Sequence, residues 1–505
     1  MPSAFQKGKS AESTLKETVN NKLMNRFSVN KTLWLSCVAF LLFVGSNVTE
    51  SYGQPVYSKP TTPATKPLLQ PITVAPKDGV NSSESPLVKK TANVTPSAAT
   101  AAPAAANSAI KTSFPLLRDA AIPGYSGVLV ETMDGNIVVE SYSDYAFNPA
   151  SNVKVATAYA VLKTFGPDYR FPTDVWTDGT IDAATGTLYG NLYVSGRDPM
   201  FNVEHATAIA AELNRIGVNN INGDLVVTDN FTMSYGATAQ RAGSLLASTM
   251  NSVKRSAAAN TAWKQYLINS GKVGQTQAMP NVAISGGTYA QAMPSNVRML
   301  FRHESAPMRE IVKVTLCYSN NFLAERLGDM LGGAYAVSRV VQMNAGIAPQ
   351  EFVLQSSSGL GINRVTPKAM MKLLRTLRTE LTRHKMTFAD IMPVAGVDKG
   401  TLERRFDTDF SKGSVVGKTG TLGNTDSGVS SLAGEINTRS GKLLFVIFNQ
   451  RGTPNRFRSF QNGYVSLIQG QFGGAAQMTY SPIPLDVRLA KTRISYPDSR
   501  ARVNE

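Results

Sequence analysis

The amino-acid sequence predicts an α+β fold, because strand-like and helix-like patterns follow one another along its 505 residues. Alternating apolar stretches at 127–130 and 136–139 flank Asp134-Gly135, which predicts a β-hairpin. Residues 172–232 hold further short strand-like segments around a helical stretch at 206–213. The last third predicts three strands and a closing helix, at 414–422, 428–436, 443–449 and 456–472.

The first part of the chain predicts export followed by a tether. An apolar run at 33–44 follows a polar, lysine-bearing stretch; it is too short to span a bilayer comfortably and suits the core of a signal peptide. Small residues at Ser51 and Gly53 favour cleavage after Gly53, while an uncleaved, membrane-associated anchor over 1–53 remains the alternative. Residues 54–112 are rich in Pro, Ala and Thr and predict a disordered linker. We therefore expect a periplasmic or otherwise extracytoplasmic protein.

The overall composition predicts a folded, basic body. Hydrophobic residues make up 42% of the chain and charged residues 17%, with a net charge of +16. This charge suits an anionic polymer, but no Lys/Arg-rich run is interleaved with aromatic residues, so nucleic acid is not an expected partner. A carboxylate-rich cell-wall glycopeptide fits the same charge. Because Cys37 lies in the leader, Cys317 is the one thiol left, which excludes a disulfide framework.

Three short motifs carry the chemistry: Ser-Asn-Val-Lys at 151–154, Ser-Asn-Asn at 319–321 and Lys-Thr-Gly at 418–420. Each is weak evidence alone, since Ser-x-x-Lys also occurs at Ser13 and Ser108. In this order they supply a nucleophilic hydroxyl, an amine to take its proton, a second hydroxyl with an amide, and a cationic strand. This set is typical of a serine enzyme that forms an acyl intermediate without histidine.

The surroundings of Ser151 predict that it begins a helix. Asn-Pro-Ala at 148–150 favours a turn, and an apolar stripe with helical spacing follows it. The stripe consists of Val155, Ala158, Tyr159 and Leu162. Free backbone N–H groups at a helix N-terminus favour a developing negative charge. Lys154 follows three residues later and so lies on the same face as Ser151.

These residues predict an acid–base system built on lysine. Ser151 needs a base, and Lys154 is a better candidate than the three histidines of the chain, provided that burial and a cation such as Lys418 lower its pKa. We expect Ser319 to relay a proton to the leaving amine and Asn321 to hold Lys154 or a substrate amide. No sequence feature indicates a metal or an organic cofactor.

The strand around the third motif predicts the substrate-binding edge. Gly420 allows a substrate backbone to approach closely, so that an extended peptide docks as an added strand. Lys418 and Thr419, with Thr421, are expected to receive the terminal carboxylate of the peptide. The backbone N–H groups of Ser151 and Thr421 are the expected oxyanion hole.

Longer segments around the motifs carry a family resemblance. They are 147–154, 166–171, 196–199, 305–308, 320–325, 392–402 and 429–434. In these segments the chain resembles the penicillin-binding D-alanyl-D-alanine carboxypeptidases and endopeptidases of low-molecular-mass class C, which form peptidase family S13. The resemblance covers most of residues 115–472. The resemblance implies a serine β-lactamase/DD-transpeptidase-like fold: an antiparallel sheet flanked by helices, a helical lobe, and a β-rich insertion. It also implies β-lactam antibiotics as inhibitors.

The motifs and the resemblance together divide the chain into domains. The catalytic domain is expected over 113–171 and 298–474, with an inserted domain over 172–297 between its parts. Residues 235–297 are rich in Ser, Ala, Asn and Gly, for which irregular structure is expected. Residues 475–505 are expected to form a C-terminal tail.

The function predicted in this way is a serine-type D-Ala-D-Ala carboxypeptidase and DD-endopeptidase that acts on peptidoglycan peptides through an acyl-enzyme. Two alternatives remain open. One is a β-lactamase or esterase on the same scaffold, which would deacylate penicillin quickly. The other is a catalytically silent cell-wall-binding protein that keeps the groove and the tether.

The sequence also departs from the pattern of the family. Tyr318 and Asn320 fit a related Tyr-x-Asn motif offset by one residue; because a helix turns 100° per residue, only one register can face Ser151, and Ser319 is favoured. The segment 355–361 lacks the acidic residue expected before its Ser-Gly-Leu. Residues 424–426 lengthen the turn after the Lys-Thr-Gly strand.

Overall fold

The computed structural model describes residues 110–236, 238–274 and 279–497. The predicted signal or anchor segment, and all of the predicted linker before residue 110, lie outside these ranges. Within the described ranges, no helix combines the length and the apolar character needed to cross a membrane.

The helices of the described residues are α1 Pro115–Arg118, α2 Val153–Phe165, α3 Val203–Arg215, α4 Ala239–Met250, α5 Ala257–Asn269, α6 Met308–Tyr318, α7 Asn321–Asp329, α8 Ala334–Ala345, α9 Pro367–Arg383, α10 Phe388–Ile391, α11 Pro454–Gln471 and α12 Leu485–Leu489. The strands are β1 Lys111–Thr112, β2 Tyr125–Thr132, β3 Ile137–Ser141, β4 Pro172–Thr177, β5 Thr180–Asp182, β6 Thr187–Tyr189, β7 Leu192–Gly196, β8 Asn220–Asn222, β9 Leu225–Val227, β10 Ala283–Ile284, β11 Thr288–Ala290, β12 Arg298–Glu304, β13 Phe352–Val353, β14 Arg364–Val365, β15 Val415–Leu422, β16 Val429–Thr438, β17 Gly441–Gln450 and β18 Arg493–Ser495.

A six-stranded sheet in the order β1-β3-β2-β17-β16-β15 carries the catalytic motifs, and all its neighbouring strands pair antiparallel. The predicted hairpin is confirmed as β2 and β3, and the three strands predicted in the last third are confirmed as β15, β16 and β17. Strand β15 forms an edge of the sheet, where an extended peptide can be added.

The side chains of β17 alternate between two cores, as the two-residue period of a strand requires. Leu444, Val446 and Phe448 belong to the core shared with the helical lobe of α2, α6 and α9. Phe445 and Ile447 belong to a second core, on the side where α1 and α11 pack. Helices therefore cover both faces of the sheet, and the α+β fold prediction is confirmed.

The chain between α2 and α6 builds most of two further sheets, in the orders β11-β9-β7-β4-β12-β18 and β10-β8-β6-β5, and only β18 comes from the C-terminal end of the described residues. Its core includes Leu213, Leu225, Leu246 and Phe301. The strand that leaves this region, β12, pairs antiparallel with the strand that enters it, β4. Residues 298–304, assigned above to the catalytic domain, thus belong to the sheet of the inserted region, because the entering and leaving strands hydrogen-bond side by side.

The expectation of irregular structure over 235–297 is wrong. Helices α4 and α5 occupy much of this segment, and Thr238 and Ser256 cap them by accepting hydrogen bonds from the backbone N–H groups of Arg241 and Ala259. The Ser- and Ala-rich composition conceals two helices because serine and threonine are N-caps and alanine is the best helix former.

Residues 475–497, in the expected C-terminal tail, are folded against the rest of the described chain. Helix α12 packs against α6, where Arg488 forms a buried ion pair of 2.6 Å with Glu310. Strand β18 then pairs antiparallel with β12, with Ser495 opposite Arg302. Because these contacts are made with residues far away in the chain, the local sequence does not reveal them.

Candidate active site

Ser151 lies in a 3₁₀ turn, Ala150–Asn152, that leads directly into α2. Ala150 has a φ of 46°, a left-handed conformation that costs a non-glycine residue energy. The side chain of Asn148 supports this conformation, because its Oδ1 accepts a hydrogen bond of 3.0 Å from the backbone N–H of Ala150. The turn thus holds the serine at the N-terminus of α2, as predicted.

Lys154 is almost wholly buried one turn beyond Ser151, with 1% of its surface exposed. Its Nζ lies 3.0 Å from Ser151 Oγ, and it donates to Asn321 Oδ1 and to the carbonyl of Ser358, both at 2.6 Å. Burial lowers the pKa of the Lys154 amine to about 7, against an opposing effect of the Glu325 carboxylate. A substantial fraction of this amine is therefore uncharged at neutral pH.

The second motif lies where α6 ends and α7 begins. Ser319 has a φ of 55°, so the chain turns sharply there, and Asn321 begins α7. Ser319 Oγ accepts a hydrogen bond of 2.8 Å from Lys418 Nζ. Tyr318 is exposed, and the Asn320 side chain caps α7 by accepting from the N–H of Leu323. The structure thus brings Ser319 and Asn321, not the offset register, to Ser151 and Lys154.

The third motif lies on the edge strand β15. Lys418 is fully buried and also donates to the carbonyl of Thr419, at 2.6 Å. Burial, together with the positive charge of Lys154, lowers the pKa of the Lys418 amine well below its usual range. A Cβ atom at Gly420 would lie only 2.8 Å from the carbonyl oxygen of Pro149 and closer still to Ser431 Oγ, so the strand fits against the turn before the serine only with glycine there.

A cavity of about 760 Å³ opens beside these motifs. Its lining includes every predicted site residue except the two buried lysines: Ser151, Ser319, Asn321, Thr419, Gly420 and Thr421. Of the histidines, His205 and His303 are buried in the inserted region, and His384 ends α9. Cys317 is buried, which raises the pKa of its thiol to about 12.

The sequence match to a known family agrees with this geometry. The model of the D-Ala-D-Ala carboxypeptidase 3 (S13) family matches residues 115–241 and 253–467, which is more than half of the chain. The chain belongs to this family. The family predicted from the sequence is thereby confirmed, and with it a serine peptidase.

Relatives of this S13 chain include the D-alanyl-D-alanine carboxypeptidase of Actinomadura sp. (strain R39), 26% identical over 435 residues, which cover 66% of this chain and 79% of that protein. The D-alanyl-D-alanine carboxypeptidase DacB of Haemophilus influenzae is 24% identical over 417 residues, covering 64% and 84%. Among solved structures, the penicillin G-acylated predatory endopeptidase Bd3459 of Bdellovibrio bacteriovorus, in complex with the immunity protein Bd3460, superposes with a TM-score of 0.60 at 22% identity. That superposition covers 71% of this chain and 96% of the other. It shows the same fold.

Two further features of this S13 chain support the site, and sequence reasoning assigned neither of them a role. The first is the Glu325 carboxylate on α7, which accepts hydrogen bonds from the backbone N–H groups of Ser357 (3.1 Å) and Ser358 (3.0 Å). This contact fixes the carbonyl of Ser358 that binds Lys154. Glu325 lies in the segment 320–325, one of those that resemble the family. That resemblance was the signal in the sequence that could have identified it.

The second feature is Asp426, in the lengthened turn after β15. Its carboxylate accepts a hydrogen bond of 2.7 Å from Asn148 Nδ2 and two from the guanidinium of Arg364, at 2.8 and 3.0 Å. Asn148 is the residue that supports Ala150. The extra residues 424–426 therefore bring a carboxylate to the turn before Ser151, in a chain that lacks the acid expected in 355–361.

Proposed function

We propose that this S13 chain is a serine DD-peptidase that hydrolyses D-Ala-containing peptides of peptidoglycan through an acyl-enzyme. The observation that carries the proposal is the contact between Ser151 Oγ and a buried Lys154 amine with a pKa of about 7, 3.0 Å apart. Carboxypeptidase action, which releases D-Ala, and endopeptidase action, which cuts a cross-link, both belong to the proposal.

The three contacts of Lys154 favour its neutral form as the general base. Asn321 Oδ1 and the Ser358 carbonyl accept hydrogen bonds only, so they take the two hydrogens of a neutral amine. The remaining lone pair then points to Ser151 Oγ, whose hydroxyl donates to it. In this arrangement Ser151 loses its proton to Lys154 as the oxygen attacks the carbonyl carbon between the two D-residues.

The edge strand β15 is the proposed docking site of the substrate. An extended peptide adds to the strand beside Gly420, and Lys418, Thr419 and Thr421 receive the carboxylate that follows the scissile bond. The backbone N–H groups of Ser151 and Thr421 are the proposed donors to the oxyanion of the tetrahedral intermediate. The N-terminus of α2 adds a favourable field for that charge.

Ser319 and Lys418 provide the proposed route of a proton to the leaving amine. The Ser319 hydroxyl donates its proton to the amine as the C–N bond breaks, and Lys418, 2.8 Å away, replaces that proton. Water then attacks the ester of Ser151, which releases the shortened peptide and restores the serine. The chain needs no histidine for either step.

The proposed site of action is outside the cytoplasm, because peptidoglycan lies there and residues 1–53 have the pattern of a signal peptide. Retention of this segment would attach the enzyme to the membrane. The relatives named D-alanyl-D-alanine carboxypeptidase support the same placement.

The test is the intact mass of a protein comprising residues 54–505, followed over time with benzylpenicillin, beside the Ser151→Ala variant. A lasting single adduct on the wild type and none on Ser151→Ala is the expected result. The solved structure of penicillin G-acylated Bd3459 is a precedent for such an adduct. A short-lived adduct with drug turnover would indicate a β-lactamase, and no adduct would indicate a silent binding protein. An adduct on Ser151→Ala would contradict the assignment of the nucleophile.

A further inference from the structure

The cavity beside Ser151 is larger than the removal of one D-Ala requires. Its volume of about 760 Å³ lies in the range of roughly 300–1,000 Å³ that holds drug-sized ligands. Beyond the catalytic motifs it extends along the loop after α10 and the first turns of α11. The lining residues there are Thr401, Arg404, Arg405, Asn455, Arg458, Ser459 and Asn462.

Three arginines give this extension a positive charge without a counterion. Arg404 is exposed, Arg405 is half-buried, and Arg458 donates a hydrogen bond of 3.0 Å to Thr421 Oγ. No Asp or Glu lines the cavity in the part of the chain that the structure describes. The nearest carboxylate in sequence, Glu403, lies outside the cavity lining; it is paired with Lys399, and the charge of Arg404 also lowers its pKa.

Arg405 and Arg458 are held by neutral groups, which leaves their charge available. Arg405 donates to Asn462 Oδ1 at 2.8 Å and to Gln461 Oε1 at 3.1 Å. Burial and the nearby Arg458 guanidinium lower the pKa of Arg405 to about 10. A site that places like charges together in this way is stabilised when an anion enters it.

The position of the arginines indicates which part of a substrate they meet. Ser319, the proposed donor to the leaving amine, and Thr421, the proposed carboxylate ligand, both line the same cavity. Groups attached to the leaving nitrogen therefore extend towards the arginines. Lys418, Thr419 and Thr421 already suffice for the single carboxylate of a leaving D-Ala, so Arg404 and Arg405 are surplus to that need.

We propose that Arg404, Arg405 and Arg458 form a subsite for additional carboxylates of the leaving group. The inference rests on the serine DD-peptidase function proposed above and concerns its substrate class. The favoured substrate is a cross-linked peptide whose released amine belongs to a diamino acid within a stem that carries several carboxylates. The enzyme then acts chiefly as an endopeptidase that opens cross-links.

The experiment compares three substrates with the protein comprising residues 54–505. They are a cross-linked peptide dimer with free acceptor carboxylates, the same dimer with those carboxylates amidated, and a linear peptide ending in D-Ala-D-Ala. Values of kcat/KM are measured for the wild type, Arg404→Gln and Arg458→Gln. Arg458→Lys tests whether charge alone suffices, and Arg378→Gln, an exposed charge on α9 outside the cavity, is the matched control.

We expect the wild type to prefer the acidic dimer to the linear peptide. Arg404→Gln should lower kcat/KM for this dimer about tenfold, the effect of one lost charge-assisted hydrogen bond. It should change the amidated dimer and the linear peptide less than twofold, and Arg378→Gln should change nothing. Equal losses on all substrates, or no loss on the acidic dimer, would overturn the subsite. Benzylpenicillin labelling of Ser151 is followed in parallel: if labelling fails, the DD-peptidase function itself is wrong, whereas labelling without dimer preference rejects the subsite alone.

Discussion

Two buried lysines in the helical lobe differ in their contacts: Lys313 pairs with a carboxylate, whereas Lys154 is the proposed general base. Lys313 on α6 and Lys154 on α2 are both almost fully buried, and both bind backbone carbonyls. Lys313 also forms an ion pair of 2.6 Å with Asp398, which Tyr480 and the N–H of Val394 hold in place. Among the residues that the structure describes, no carboxylate contacts Lys154, and burial lowers the pKa of its amine to about 7. Contact with a carboxylate, rather than burial, therefore distinguishes Lys313 from the proposed base, Lys154.

The strongest test of this contrast is Lys154→Met, which keeps the volume of the side chain and removes the amine. Acylation by benzylpenicillin should slow by about 10³-fold, within the usual range for loss of a general base. Rapid mixing followed by mass spectrometry measures this rate. Acylation within tenfold of the wild-type rate would mean that another group takes the Ser151 proton.

The complementary change, Lys313→Met, should act on stability instead. It leaves the buried Asp398 carboxylate without its cation, which should lower the free energy of unfolding by about 3 kcal/mol. Urea unfolding followed by circular dichroism gives this value for both variants. Lys154→Met should lose less than Lys313→Met, because it leaves no buried charge without its partner. Equal losses in the two variants would remove the contrast.

A smaller effect is expected from Asn321→Asp. This change places a carboxylate next to Lys154, because Asn321 Oδ1 lies 2.6 Å from Lys154 Nζ in the wild type. In the wild type the acylation rate should rise with pH through about 7, where Lys154 becomes neutral, and then level off. A carboxylate at residue 321 favours the charged amine and should move this inflection upward by about 1 to 3 pH units. At pH 7 the rate should therefore fall at least about fivefold. An unchanged inflection would show that Lys154 is not the titrating group.

The smallest effect is expected at Asp426, which acts on Ser151 only through Asn148. Asp426→Asn keeps the shape of the side chain but weakens the pairing with Arg364, which is partly exposed. We expect about a threefold slower acylation and a loss of about 1 kcal/mol in stability. Arg364→Gln should reproduce both changes. If Asp426→Asn affects stability alone, the turn before the serine does not depend on this carboxylate.

The sequence predicts best what local geometry determines. Ser151 and Lys154 are three residues apart on one helix, so their contact follows from helical spacing. The strands β15, β16 and β17 follow from short segments rich in apolar residues that turn residues separate. Ser319 and Asn321 were chosen over the offset register without a local reason, because the φ of 55° at Ser319 depends on how α6 and α7 pack.

Contacts between distant segments escaped prediction. Glu325 accepts a hydrogen bond from the loop at 357–358, and Asp426 accepts one from Asn148. Both contacts join distant parts of the chain, and no periodic pattern in the sequence indicates that these parts meet. Helices α4 and α5 were missed for a different reason. Their caps, Thr238 and Ser256, are present in the sequence, but polar small residues also favour loops, and tertiary packing of Leu246 and Met250 decides between the two.

The order of strands in the main sheet has a consequence for the biogenesis of the enzyme. Strand β2 pairs with β17, with Val128 opposite Ile447, and β15 completes the site from late in the chain. Ser151 is therefore synthesised long before Lys418, the edge strand β15 and half of the main sheet. Such distant pairings form slowly, since long loops must close first. For the exported DD-peptidase proposed above, we therefore expect no hydrolase activity until the C-terminal strands have followed Ser151 across the membrane.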